Sequence, residues 1–309
     1  MDAGLFIAFR YLFAKKSHNV INVISAISAA GIAIGTAALI LILSVYNGFD
    51  GIIRANLSDL SPDLLVTSAD GGLFAPEGAG FDRLREDGRI VSFACVLEKN
   101  VFVTYGDKQG IARAKGVDRS YEESAPLASH VTAGTFSLHR GELAQVSVGA
   151  GMAYDMGINP RFLEHLVLHY PKDGTVNPLL GPSSALGSES MVVGSLFSVS
   201  SETDAGLIIV PIEVMRRLVG RGDGGVASGV ELRVAGGVDA ARLRDEVSVS
   251  LGPGFNVEDR YMQNSSLYKM MRYEKLAIFT ILLFVVIIVA FNFVFVEIRK
   301  LCAKVEHIF

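Results

Sequence analysis

Two stretches without a single charged side chain set the limits on this fold. No Lys, Arg, Asp or Glu occurs over residues 17–49, nor over 276–296. A helix rises about 1.5 Å per residue, so about 20 apolar residues cross a hydrocarbon core of ~30 Å. Both stretches meet that length, as expected spans over 21–46 and 276–296. The chain is 50% hydrophobic with a mean hydropathy of +0.40. That is too apolar for an average soluble protein and too polar for a many-spanning transporter. The first run is far longer than the about 7–15 apolar residues of a cleaved signal peptide, so it reads as an uncleaved anchor.

Charge supplies the orientation. Outside residues 47–275 the chain carries Arg10, Lys15, Lys16, Arg299, Lys300 and Lys304 against Asp2, Glu297 and Glu306. The segment between holds the other 22 basic and 29 acidic residues. Basic residues beside short segments stay in the cytoplasm, so both ends are expected inside and 47–275 outside. An acidic central domain also argues against nucleic acid as a partner. Cys95 falls in that domain and Cys302 past the second span, so no disulfide joins them. There is no Trp, which leaves Tyr11, Tyr46, Tyr273 and the Phe residues as interface anchors.

Residues 1–20 place Leu5, Phe6, Phe9, Leu12 and Phe13 on one helical stripe, with Arg10, Lys15 and Lys16 set to meet headgroups. This reads as an amphipathic helix on the inner leaflet or as the cytoplasmic extension of the first span. In that span Ser28, Gly31 and Gly35 sit among alanines, and Gly31-x-x-x-Gly35 forms a small-residue face on which another helix backbone can approach closely. Within 47–275 the runs 64–68, 101–106, 111–117, 166–170, 192–199, 207–211 and 229–234 read as strands. Residues 47–60, 79–87, 152–156, 212–219 and 240–251 read as helices. The mixture predicts an α+β domain with partly antiparallel sheet. The polar Gly/Pro/Ser-rich segment 171–190 reads as a long exposed loop, either a contact for a partner or a linker.

The motifs of catalysis are missing. No G-x-x-x-x-G-K-[ST], H-E-x-x-H, C-x-x-C or G-x-S-x-G occurs. His165 and His169 have helical metal-ligand spacing, but they lie in a strand-like LEHLVLHY and read as surface or structural histidines. Glu202 and Asp204 flank Thr203 in an expected turn, where both are solvated carboxylates rather than an acid–base pair. Work by this chain is therefore expected to be mechanical or by binding, with no metal and no cofactor.

Three segments together resemble one family. FIAFRYLFAKKS and VISAISAAGIAIGTAALILILSVYNGF (6–17 and 23–49), including Asn47-Gly48-Phe49 at the exit of the span, resemble the start of lipoprotein-releasing permeases of the LolC/LolE type. AKGVD (114–118), LAQVSVGAGMAYDMGI (143–158) and GSLFSVSSETDAGLIIVPIEVMRRLV (194–219) are similar to that family's periplasmic domain. NSSLYKMMRYEKLAIFTILLFVVIIVAFN (264–292) resembles the stretch around its second span.

The resemblance implies a membrane α-helical protein with an α+β periplasmic domain of MacB-like core type inserted between its spans. It implies a permease subunit of the MacB/FtsX-like superfamily, in the bacterial inner membrane, non-catalytic itself and served by a cytoplasmic ABC ATPase. A second permease copy or paralogue, lipoprotein cargo, a periplasmic lipoprotein carrier and membrane lipid are the partners it implies. Ser28, Gly31, Gly35, Asn47, Gly48 and Phe49 then form a helix-packing or lipid-cleft face, and Glu297, Arg299 and Lys300 begin the segment, 297–309, that couples to the ATPase. The family has four spans, so the end at Phe309 leaves two of them outside this sequence. A peptide or macrolide exporter, a cell-division regulator, a two-span sensor and an anchored periplasmic enzyme are the alternatives.

Overall fold

A computed structural model describes residues 29–31, 33–48, 61–124, 127–162, 164–171, 186–222 and 224–306. Its contacts divide the chain into two units, Arg54–Ser265 and the two flanking segments Met1–Ile53 with Ser266–Phe309. The expected amphipathic helix over 1–20 and residues 49–60 of the expected helix over 47–60 lie outside the described residues.

Among the described residues the flanking unit is two helices, α1 (Ala29–Gly48) and, at the far end of the chain, a helix over Ser265–Glu306. Asn47 and Gly48 are helical and continuous with α1. The second helix starts well before the apolar stretch at 276, because SSLYKMMRYEK contains no breaker.

The folded unit runs β1 (Leu64–Ser68), α2 (Ala79–Glu86), β2 (Ile90–Tyr105), β3 (Lys108–Val117), α3 (Arg119–Ser124), β4 (Val131–Gly134), β5 (His139–Arg140) and β6 (Leu143–Gly149). It continues through α4 (Ala150–Met156), β7 (His165–Pro171), β8 (Leu186–Phe197), α5 (Ser201–Asp204), β9 (Leu207–Pro211), α6 (Ile212–Leu218) and β10 (Gly229–Val234). It closes with α7 (Ala240–Leu251), β11 (Phe255–Asp259) and α8 (Arg260–Gln263); the long C-terminal helix is α9.

Six strands close a ring. β2 pairs β3, β3 pairs β9, β9 pairs β6, β6 pairs β8, β8 pairs β7, and β7 returns to β2 through Phe102–Thr104. Two of these pairings, β3 with β9 and β6 with β8, are parallel. The largest apolar core draws Val101, Ala114, Val146, Leu168, Met191 and Ile208 from the six strands, and adds Met152 of α4 and Met215 of α6.

The first half of β2 leaves the ring and carries a wing, in which β10, β1 and β11 follow in antiparallel order. Leu84 of α2 and Leu243 and Val247 of α7 seal that wing, with Phe74, Phe81 and Phe255 meeting edge-to-face or stacked. Local chemistry explains the joints. Gly106, at φ +55°, turns the β2–β3 hairpin through the two residues between Tyr105 and Lys108. Asp239 caps α7 by accepting from the Ala241 and Arg242 amides.

The sequence expectation of α+β stands, with a mixed sheet. Several strands run longer than their apolar signal, and 171–190 is not all loop. Pro171 and Leu186 pair at the open end of the β7–β8 hairpin, and 186–190 belong to β8; residues 172–185 lie outside the described set. The sequence reading passed over β4, β5, β6, β11, α3 and α8, and took α5 for a turn. In β6 polar Gln145 and Ser147 alternate with Val146 and Val148, yet Ser147 is fully buried, its hydroxyl accepting from Ser195 Oγ at 2.8 Å. In β11 the pattern ends in Glu258 and Asp259.

Candidate functional site

Helices α1 and α9 are long and apolar enough to cross a membrane, and neither buries its apolar window within the chain. Ile34 and Ile40 of α1 and Ile281, Phe284 and Phe291 of α9 stand exposed. A helix apolar all round and uncovered by protein needs an apolar surrounding. The two helices are joined by hydrogen bonds at one end, where the Tyr46 hydroxyl donates to the Met271 carbonyl at 2.6 Å. Beside it Lys275 Nζ donates to Asn47 Oδ1 at 3.2 Å.

The predicted packing residues fall as follows. A Cβ on Gly31 would lie 3.6 Å from Val289 Cγ1 of α9, ordinary contact, whereas Gly35 and Gly48 have nothing within 4 Å among the described residues. Asn47 meets Lys275. Ser28 and Phe49 lie outside the described residues. Glu297, Arg299 and Lys300 belong to α9 by backbone, and their side chains are outside the description.

In the folded unit the entering and leaving strands are neighbours, β1 against β11 with Leu64 opposite Asp259. Arg260 bonds Asp63 at 3.0 Å, and Gln263 Nε2 donates to the Pro62 carbonyl at 3.4 Å. Chain entry and chain exit are thus held at one place on this unit.

The polar motifs that the sequence singled out are fold devices. In AKGVD, Lys115 is buried and meets Glu231 Oε1 at 2.6 Å, with Glu98 at 3.9 Å and the Tyr121 ring 4.7 Å away. Burial alone pulls its ammonium down, but the charges of Glu231, Tyr121 and Glu98 together carry it above the ordinary lysine range. Gly116 makes room for Met215 and Ile212 of α6, since a Cβ there would lie 2.6 Å from Met215 Cγ.

Asp118 accepts the Cys95 amide at 2.6 Å and the Tyr121 amide at 3.1 Å, so it caps both α3 and the edge of β2 beyond the end of β3. Burial raises its carboxyl, against the pull of those bonds. Burial, then Asp118, pushes the Cys95 thiol up to about 11, so it stays an uncharged thiol at neutral pH. A groove of about 750 Å³ opens there between β2, α2 and α3, lined by Phe93, Cys95, Asp118, Arg85 and Arg233 among others.

In SETDAG, Asp204 is not the solvated turn carboxylate that the sequence suggests. It is buried, with Val199 N at 2.9 Å on one oxygen and Ser198 Oγ at 2.8 Å on the other. His169 lies on β7, between Thr104 Oγ1 at 3.1 Å and Ser188 Oγ at 2.9 Å; both histidines are strand residues, as expected. Among the described residues no cluster of three His, Cys, Asp or Glu has metal-binding geometry. Sequence reasoning missed the buried Lys115–Glu231 pair, since partners 116 residues apart leave no local spacing to read.

Comparisons with known proteins follow the same outline. The profile of the MacB-like periplasmic core domain matches residues 25–249. The chain is similar to the lipoprotein-releasing system transmembrane protein LolC of Xylella fastidiosa, 28% identical over 291 residues, covering 93% of this chain and 68% of that protein. The protein of the same name from Neisseria meningitidis serogroup B is 29% identical over 293 residues, with the same two coverages. Among solved structures, the periplasmic region of MacB from Actinobacillus actinomycetemcomitans covers 69% of this chain and 96% of itself, at a TM-score of 0.43 and 11% identity. That last likeness is too distant to carry an argument.

Proposed function

The chain belongs to the MacB-like periplasmic core domain family, and from that membership we propose that it is a permease subunit of an ABC transporter that extracts acylated lipoproteins from the inner membrane. The observation that carries this reading is the span of the similarity. Relatives named for a lipoprotein-releasing system align with 93% of the chain, so the likeness includes both apolar helices as well as the folded unit. A sensor or anchored enzyme that shared only the external domain would lack that reach.

In this reading both chain ends are cytoplasmic and the folded unit is periplasmic, as the distribution of basic residues favours. ATP hydrolysis takes place in a separate P-loop subunit that bears on the segment after α9, around Glu297, Arg299 and Lys300. Force reaches the periplasm through α1 and α9, whose connections arrive at the paired strands β1 and β11. Gly35 faces a second permease or an acyl chain, with Ser28 and Asn47-Gly48-Phe49 extending that face, while Gly31 lies beside Val289 of α9. Each buried CH₂ of an acyl chain contributes about 0.8 kcal/mol of membrane affinity, so extraction requires external work. The chain itself passes cargo to a periplasmic carrier and does no covalent chemistry.

Purification of the protein carrying this chain in mild detergent tests the assembly. A P-loop ATPase is expected to co-purify, and acylated lipoprotein is expected to stimulate its hydrolysis. Recovery of no ATPase would sink every permease reading; an ATPase indifferent to lipoprotein would move the chain to an exporter or regulator branch of the superfamily.

A further inference from the structure

We infer that the touching ends of α1 and α9 form a binding site for the phosphate of an anionic phospholipid, with Lys275 as its central donor. Lys269, Arg272 and Lys275 recur every three residues along α9 and are all exposed. Residues three apart on a helix are neighbours, so the three cations form one short basic stripe, which stops where the apolar run begins at Leu276. Among the described residues no carboxylate lies within ion-pairing distance of any of them.

Lys275 is exposed and makes one side-chain hydrogen bond, to α1. Its ammonium is held by the neutral Asn47 oxygen at 3.2 Å and lies 6.0 Å from the centre of the Tyr46 ring. The ring is itself fixed through its hydroxyl on the Met271 carbonyl. An ammonium has three donors and no acceptor, and the Asn47 bond uses one. A phosphodiester at the headgroup level would take the others, with Arg272 and Lys269 in reach of the same layer. The Tyr46 ring and the exposed Leu276 and Phe279 would lie along the glycerol and acyl chains. A bound lipid would thereby share a donor with Asn47 and tie α1 to α9 where they touch.

The inference rests on the two helices crossing a bilayer, which resistance of the chain to alkaline carbonate extraction checks separately. The test uses the full chain in neutral detergent micelles, with occupancy read by native mass spectrometry. Three probes are compared: dioctanoylphosphatidylglycerol, dioctanoylglycerol and inorganic phosphate. The phospholipid is expected to bind at least tenfold more tightly than the diacylglycerol. Lys275→Gln is expected to remove most of that difference, and Lys275→Arg to keep it. The double variant Lys269→Gln/Arg272→Gln, which leaves the Asn47 contact intact, is expected to lose several-fold. Equal binding of the two lipids, undiminished binding by Lys275→Gln, or displacement of the phospholipid by equimolar inorganic phosphate would each overturn the site.

Discussion

Glu231→Leu is expected to destabilise the folded unit by about 3–5 kcal/mol, because it strands a buried ammonium without its carboxylate. Lys115 and Glu231 are each 6% exposed, and their 2.6 Å contact crosses the junction between ring and wing. Lys115 stands on β3 of the ring and Glu231 on β10 of the wing, with β2 between them. Glu98 remains 3.9 Å away, but it is far more exposed and takes up only part of the lost interaction. The ammonium then sheds its proton, or the sheet opens to hydrate it. Replacing both partners, Lys115→Met with Glu231→Leu, removes the stranded charge and is expected to fall within about 1 kcal/mol of the parent. Urea unfolding of the parent and these two variants, with amide exchange on β2, β3 and β10, checks this. A single variant as stable as the double would contradict the assignment.

Gly149→Val is expected to cost about 1–3 kcal/mol or more through overpacking. The backbone at Gly149, φ −62° and ψ 139°, suits any residue, so the demand for glycine is one of space. A Cβ there would meet the Asp204 carbonyl oxygen at 2.4 Å and its Cα at 2.8 Å. Both are main-chain atoms and cannot swing aside like a side chain. Nor can the segment withdraw, because Asp204 is fastened to Val199 and Ser198 and α5 is capped by Ser200 on Thr203 N at 3.3 Å. Gly72, with nothing within 4 Å of its virtual Cβ, is the control: Gly72→Ala is expected to change stability by no more than about 0.5 kcal/mol. Similar losses in both variants would remove the packing argument.

These two sites show how far the sequence could be read. The apolar stretches at 17–49 and 276–296 were plain, since length and absence of charge are local properties. Strands such as 207–211 and 229–234 were plain too, as β-branched runs bounded by Gly or Pro. The closed ring was not legible, because β3–β9 and β6–β8 are parallel pairings between segments far apart in sequence. Asp204 looked like a solvated turn residue because its burial depends on the later fold around it. AKGVD and VGAGMAYDMG were visible as a family likeness without a reason; the structure supplies one in Lys115, Gly116, Asp118 and Gly149. The candidate transport face was legible only as a pattern of small residues around Gly31 and Gly35.

The central claim is that this chain serves ATP-driven release of acylated lipoprotein. The most direct test reconstitutes the protein carrying it, with its ATPase partner, into proteoliposomes loaded with an acylated lipoprotein. The account predicts release into the soluble fraction that requires ATP, the acyl chains and an added periplasmic carrier. Failure of release under those conditions by an assembly that hydrolyses ATP, or equal handling of the unacylated protein, would contradict it.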